Sequence, residues 1–332
     1  MTDGTARFLS SDDVADLATP AEYVDAVRDG YRQRGEGAPA RPRTRLTNDD
    51  PPGMLTGYTA VLPDTGAMGG YVYTGGFGSG DAHFVLPLFD ADSGAPLAVF
   101  DGASLNPYKT GATGAVGIDA LAREDVTELA VVGSGAQARG QLRAAVTVRD
   151  FETIHVFSPT REHREAFANE MDEELDPAVR AVDSSDAAVD GADIVVTATT
   201  ASEPVFDAES LADGVHVICM GQYDPEKYEV DAETVARAKY VPDLRDRVTR
   251  DAGAFLHARE VGAIDDDHVH AELGEVVAGV EPGRETADEV TLFDSGGTAI
   301  ETVAAAHLCY ERAVAADLGT EVEFMPASRA FD

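Results

Sequence analysis

Lysine is nearly missing from this chain. Only Lys109, Lys227 and Lys239 occur among 332 residues, the other 22 basic residues are arginine, and 61 acids bring the formal net charge to −36. An excess of that size argues against nucleic acid or an anionic membrane surface as a partner. Cysteine is also scarce. Cys219 and Cys309 are too few for a disulfide framework and fit a reduced, cytoplasmic compartment. No apolar run approaches 18 residues, which excludes a transmembrane helix. Met1-Thr2-Asp3-Gly4 lacks a basic segment followed by an apolar one, so no signal peptide is expected. Internal repeats and low-complexity segments are missing as well.

What is present is ordinary globular material. The hydrophobic fraction is 44%, enough to exclude disorder, and the length predicts two domains. The acids are spread along the chain rather than gathered in a tail. With so little lysine, this is the pattern of an acid-coated, halophile-like protein whose self-repulsion is screened by salt, the Debye length being about 3 Å at 1 M. Most acids are therefore expected to face solvent.

Residues 11–34 read as one helix with Val14, Leu17, Tyr23, Val24 and Val27 on its apolar face. From 41 to 101, short runs rich in Val, Tyr, Thr and Phe alternate with Gly, Pro and Asp, which predicts an antiparallel sheet. Residues 109–122 are small and helical in spacing. Strands near 128–132, 153–157, 179–182, 194–198, 216–220, 240–241 and 290–293 then alternate with helices, the pattern of a doubly wound parallel sheet. A helix over 298–318 closes the chain. The expected architecture is α/β: a Rossmann-type domain (119–304) set into an antiparallel α+β module (1–118 plus 305–332).

The sharpest motif runs from Glu128 to Ala138 and contains Gly133-Ser134-Gly135-Ala136-Gln137-Ala138. It follows a buried strand and opens a helix, as a dinucleotide fingerprint requires. Gly133 permits the tight turn, Gly135 lets backbone approach a pyrophosphate, and Ala138 lets helix pack on strand. The helix start supplies N–H groups and partial positive charge. A glycine turn that binds nothing is the competing reading. The second strand ends Val156-Phe157-Ser158-Pro159-Thr160-Arg161, with no acid where NAD sites usually carry one. Ser158, Thr160 and Arg161 can instead receive a 2′-phosphate, so the cofactor expected is NAD(P)(H) with a lean to NADP(H). Three more segments at strand ends are candidates to line the nicotinamide: Thr197-Ala198-Thr199, Met220, and Ser295-Gly296. Ordinary strand-to-helix turns would look the same.

Together these pieces resemble the ornithine cyclodeaminase/mu-crystallin family. The resemblance covers nearly the whole chain through Pro42-Arg43-Thr44, Lys109-Thr110-Gly111-Ala112, the 133–138 fingerprint, Asp193–Thr200, Gly221–Asp231 and Thr291–Ile300. It implies a homodimer whose N-terminal module, joined by the last helix, forms the interface and part of the substrate pocket. It also implies hydride transfer between a nicotinamide and the α-carbon of a small amino or imino acid. Ketimine or pyrroline-2-carboxylate reduction and alanine dehydrogenation are such reactions. A cyclodeaminase releasing ammonia from ornithine with bound NAD is the first alternative. A non-catalytic, crystallin-like binder of nucleotide and ligand is the second.

Position by position, the resemblance gives Arg43 and Lys109 to the substrate carboxylate, with Thr110 beside them. A guanidinium offers a bidentate fork there; Lys109, where the family usually has Arg, keeps the charge without it. Tyr71 stands where many members carry a lysine, and Tyr223 where true cyclodeaminases carry an acid. That leaves Tyr71 and Asp224 as the candidate acid/base residues. Asp224, Lys227 and Glu229 otherwise read as a charged surface loop. The run Asp265-Asp266-Asp267-His268-Val269-His270 invites a metal site, but it reads better as an acidic helix start, and no metal is expected.

Overall fold

The computed structural model describes residues 4–78 and 81–329. Met1, Thr2 and Asp3, which carry the leader reading, lie outside the described residues. The chain divides into two compact units, one formed by the chain up to Lys109 together with the chain from Thr298, the other spanning Thr110–Gly297.

The first unit opens with strand β1 (Thr5–Leu9), a single-turn helix α1 (Ser11–Val14) and helix α2 (Pro20–Gly35). The single helix expected over 11–34 is thus two. Asp16 sits in the left-handed region (φ 59°), and Thr19 precedes a proline, which disfavours helical backbone. Thr19 then caps α2 reciprocally with Glu22, and Pro20 takes the first turn, where no N–H is needed. Strands β2 (Thr44–Asp49), β3 (Pro52–Leu62), β4 (Ala67–Gly76), β5 (Asp81–Asp90) and β6 (Pro96–Asp101) follow as an antiparallel meander. β1 joins that sheet parallel to β6, so the module is mixed rather than purely antiparallel. Helix α3 (Leu105–Leu121) carries the chain over the unit boundary.

The inserted unit runs β7 (Glu128–Val132), α4 (Ala136–Ala145), β8 (Thr153–Phe157), α5 (Arg161–Glu174), β9 (Ala178–Ala181), α6 (Ser185–Val189), β10 (Ile194–Thr197) and β11 (His216–Met220). It continues with α7 (Ala232–Arg237), β12 (Lys239–Pro242), α8 (Arg245–Asp251), α9 (Gly253–Glu260), α10 (Leu273–Val277) and β13 (Thr291–Ser295). All seven strands are parallel, in the order β12-β13-β11-β10-β7-β8-β9. The connection changes direction between β7 and β10, and ligands of open α/β sheets bind at the carboxyl end of such a switch point. β10, β11 and β13 are buried throughout, as strands covered on both faces must be. Close helix packing explains the small residues of α3. A Cβ on Gly111 would lie 2.1 Å from the Gly140 carbonyl oxygen, and one on Gly117 would lie 2.7 Å from the Phe293 ring.

The chain returns to the first unit in α11 (Ala299–Ala315), which packs on α2, β3 and β4, and ends in β14 (Thr320–Glu323), antiparallel to β1. Among the described residues, no helix is long and apolar enough to cross a membrane.

Candidate active site

In the inserted unit, Gly133 and Gly135 do different work. Gly133 has φ 132°, and a Cβ there would come within 2.4 Å of the Ala198 carbonyl oxygen, so no other residue fits. Gly135 is the extended N-cap of α4, is exposed, and makes no side-chain cap. A Cβ on it would meet nothing within 4 Å. The first turn of α4 therefore presents main-chain N–H groups to an open approach, the arrangement that accepts a pyrophosphate. Ala136 is exposed at the start of this turn and Ala138 is fully buried beneath it. Gln137 accepts a hydrogen bond from the Thr110 hydroxyl, which ties the turn to α3.

At the end of β8, the Ser134 and Ser158 hydroxyls are 3.0 Å apart, and Ser158 is nearly buried. Thr160 is the uncapped N-cap of α5. The Arg161 guanidinium is largely exposed and pairs with Glu165 at 2.7 Å.

The turn after β10 is fixed by a residue the sequence had placed on the surface. Glu229 is 1% exposed. One carboxylate oxygen accepts from the Thr199 N–H (2.7 Å) and hydroxyl (2.6 Å); the other accepts from the Thr197 hydroxyl (2.8 Å). Burial pushes this carboxyl up, against the hydrogen bonds that favour its anion. The surface-loop reading holds for Lys227, which is exposed, but fails for Glu229. Asp224 is half-buried, and its carboxylate accepts from the Glu226 N–H at 3.2 Å.

After β13, Ser295 is buried and the Gly296-Gly297 turn rests on a charged cluster that sequence reasoning missed. Arg247, fully buried, binds Asp243 (2.5 Å), Asp251 (3.0 Å) and the Asp294 carboxylate. Asp243 also accepts from the Gly297 N–H at 2.9 Å. A Cβ on Gly296 would strike the Arg247 guanidinium. Tyr240 donates to Asp294, whose carboxyl is raised by burial. Met220 is buried at the end of β11. Asp265 caps a short 3₁₀ turn rather than a helix, and His268 and His270 lie 2.8 Å from the Val235 and Pro282 carbonyls.

In the first unit, the Arg43 guanidinium is half-buried, donates to the Tyr73 hydroxyl (2.9 Å) and lies 5.4 Å over the Tyr58 ring. Arg41 and Arg45 are exposed. The Lys109 ammonium is buried, 3.5 Å from Glu301 and 5.5 Å over the Tyr71 ring. Glu301 also accepts from the Thr298 N–H (2.5 Å) and hydroxyl and from the Tyr31 hydroxyl (3.2 Å). Its signal was in the sequence, since Thr298-Ala-Ile-Glu301 is a capping box. Tyr71 is fully buried and donates to the Gly102 carbonyl at 2.8 Å, and burial holds its phenol well above the usual range. The phenol thus supports the Lys109 ammonium through its ring while its proton is held by a carbonyl.

The parallel sheet, its switch point and the glycine cradle define a Rossmann-type protein. The chain belongs to the ornithine cyclodeaminase/mu-crystallin family, whose model matches residues 6–317. It is 34% identical over 241 residues to a Δ1-pyrroline-2-carboxylate reductase of Bacillus cereus, covering 72% of this chain and 74% of that protein. It is 29% identical to an alanine dehydrogenase of Archaeoglobus fulgidus, over 96% of this chain and 98% of the other. Among solved structures, Δ1-pyrroline-2-carboxylate reductase of Thermococcus litoralis, in complex with NADH and L-proline, superposes with a TM-score of 0.90 at 33% identity. That match covers 95% of this chain and 100% of that one.

Proposed function

We propose that this protein is an NAD(P)H-dependent reductase of a small cyclic or short-chain α-imino acid, with a Δ1-pyrroline-2-carboxylate-like ring as the first substrate to test. The observation that supports it most is the Gly133–Ala138 cradle at the sheet's switch point, in a family whose solved relative holds NADH and L-proline. When bound, the nicotinamide supplies a hydride to the substrate α-carbon. A proton goes to the imine nitrogen, so the C=N bond becomes CH–NH as the cofactor is oxidised.

The chain's own residues have these proposed roles. The Gly135–Gln137 N–H groups bind the pyrophosphate. Ser158, Thr160 and Arg161, with no carboxylate at the end of β8, favour a 2′-phosphate and hence NADPH. Thr197, Ala198, Thr199, Met220, Ser295 and Gly296 frame the nicotinamide end. Arg43 and Lys109 grip the substrate carboxylate beside Thr110, with Arg43 supplying the fork. Asp224 or solvent delivers the proton. Tyr71 stays protonated under Lys109, because its hydroxyl is spent on Gly102.

The assembly we propose is a homodimer joined through the first unit's sheet. Its support is an exposed apolar face on which Leu46, Leu55, Val72 and Val85 lie together by register, each at least 42% exposed. The acid coat is an adaptation to high salt in a cytoplasmic protein. A spectrophotometric screen at molar KCl, with both reduced cofactors and a panel of imino acids and 2-oxo acids plus ammonia, tests the reading. Cofactor oxidation with an imino acid is expected. Ammonia release from ornithine without net cofactor change would replace it with a cyclodeaminase, and cofactor binding without any turnover with a binder.

A further inference from the structure

Glu229 poses a physical question. A buried carboxylate without a cation is costly, and among the described residues no basic side chain pairs with it. Hydroxyl and N–H donors satisfy it instead, and all of those that bond it directly at 2.6–2.8 Å come from one turn, Thr197–Thr199. The Thr199 hydroxyl continues the chain by accepting from the Ala201 N–H at 2.9 Å. Between the two threonines, the Ala198 carbonyl oxygen lies against Gly133, where a Cβ would be only 2.4 Å away, and the Ala198 N–H donates to the Val132 carbonyl at 2.9 Å. The route from Glu229 to the cradle is therefore short: carboxylate, threonine turn, Ala198, Gly133.

We propose that Glu229 is a positioning residue for the dinucleotide. Its carboxylate clamps the Thr197–Thr199 turn from both sides, so that Ala198 holds the first glycine of the cradle in its left-handed backbone. The inference rests on the nucleotide reading above. A carboxylate suits the task because it only accepts: one oxygen takes both Thr199 donors while the other takes Thr197. Glutamine conserves most of this. Its carbonyl can serve Thr199, and its amide can donate to a Thr197 hydroxyl that turns toward the Ile218 carbonyl, 3.4 Å away. Alanine conserves none of it.

The test uses full-length protein in molar KCl, with circular dichroism to confirm folding and calorimetric titration of NADH and NADPH. Glu229→Ala and Thr199→Val are expected to raise Kd and KM for the preferred cofactor at least tenfold, with the imino-acid KM moving less than threefold. Glu229→Gln is expected to recover affinity to within about threefold of wild type. A role in stability alone would lower the active fraction without moving the cofactor KM. If Glu229→Ala does not fold, Thr199→Val decides. Folded variants that bind cofactor within twofold of wild type overturn the inference alone. So does a Glu229→Gln protein as weak as Glu229→Ala, because it assigns the effect to charge rather than placement. A wild-type protein that binds neither cofactor overturns the nucleotide reading as well.

Discussion

In the inserted unit, the atoms proposed to meet a ligand are main-chain N–H groups at the start of α4, and the side chains of Glu229, Asp243 and Arg247 bond the turns after β10 and β13. In the first unit the order is reversed. The groups proposed to meet a substrate are the side chains of Arg43 and Lys109, which lie over the rings of Tyr58 and Tyr71. A main-chain site depends on where glycine is allowed and on what fixes the turn. A side-chain site depends on which side chains the fold brings together. Substitutions should therefore damage the two units in different ways.

Salt removal should have the largest effect and should reach both units at once. Dialysis to low salt is expected to unfold the chain, because 61 acids against 25 basic residues then repel without screening. Circular dichroism that stays unchanged would refute this. Within the inserted unit, Arg247→Met leaves Asp243, Asp251 and Asp294 without their buried cation. The expected loss is about 3–5 kcal/mol in urea unfolding at molar KCl. Gly133→Ala should cost the cradle about 2 kcal/mol, read as ~30-fold weaker binding of the preferred cofactor, while the imino-acid KM stays near wild type. Equal loss for both ligands would erase the contrast between the units.

The inserted unit also carries a pH-sensitive core residue. His216 is fully buried, 2.9 Å from the Thr291 hydroxyl, and burial lowers its pKa from 6.5 to about 3. Between those values the unfolded chain binds a proton that the folded chain refuses. The stability from this group is thus complete above pH 6.5 and is lost as pH falls toward 3. From pH 6.5 to 5 the loss is about 2 kcal/mol, and His216→Leu should lack that increment. A slope that is the same in wild type and variant would exclude His216 as its source. The smallest effect belongs to the substrate side. Arg43→Lys keeps the charge but gives up the planar fork, so the imino-acid KM should rise ~10-fold, about 1.4 kcal/mol, with cofactor KM unchanged.

Legibility followed the same division. The Gly133-Ser134-Gly135 motif could be read because its first position has a backbone and a close contact that only glycine meets. The alternation of apolar strands with helices gave the parallel sheet in the same way. Glu301 could have been read from its capping box. Glu229 could not, because it sits in a loop of Asp, Glu and Lys that resembles the rest of an acidic surface. Asp243, Asp251 and Asp294 were hidden likewise among 61 acids. Their burial depends on Arg247, and that of Glu229 on the donors of Thr197 and Thr199, distant in sequence.

By itself, the sequence determined what local periodicity and glycine placement can encode: the doubly wound sheet, the cradle, the charge of the surface and the family. Only the tertiary structure decided which few acids are buried, that the Tyr71 proton is committed to Gly102, and that Lys109 is matched by Glu301. Backbone preferences act over a few residues. The fate of a charge is settled by whichever donors the folded chain brings to it.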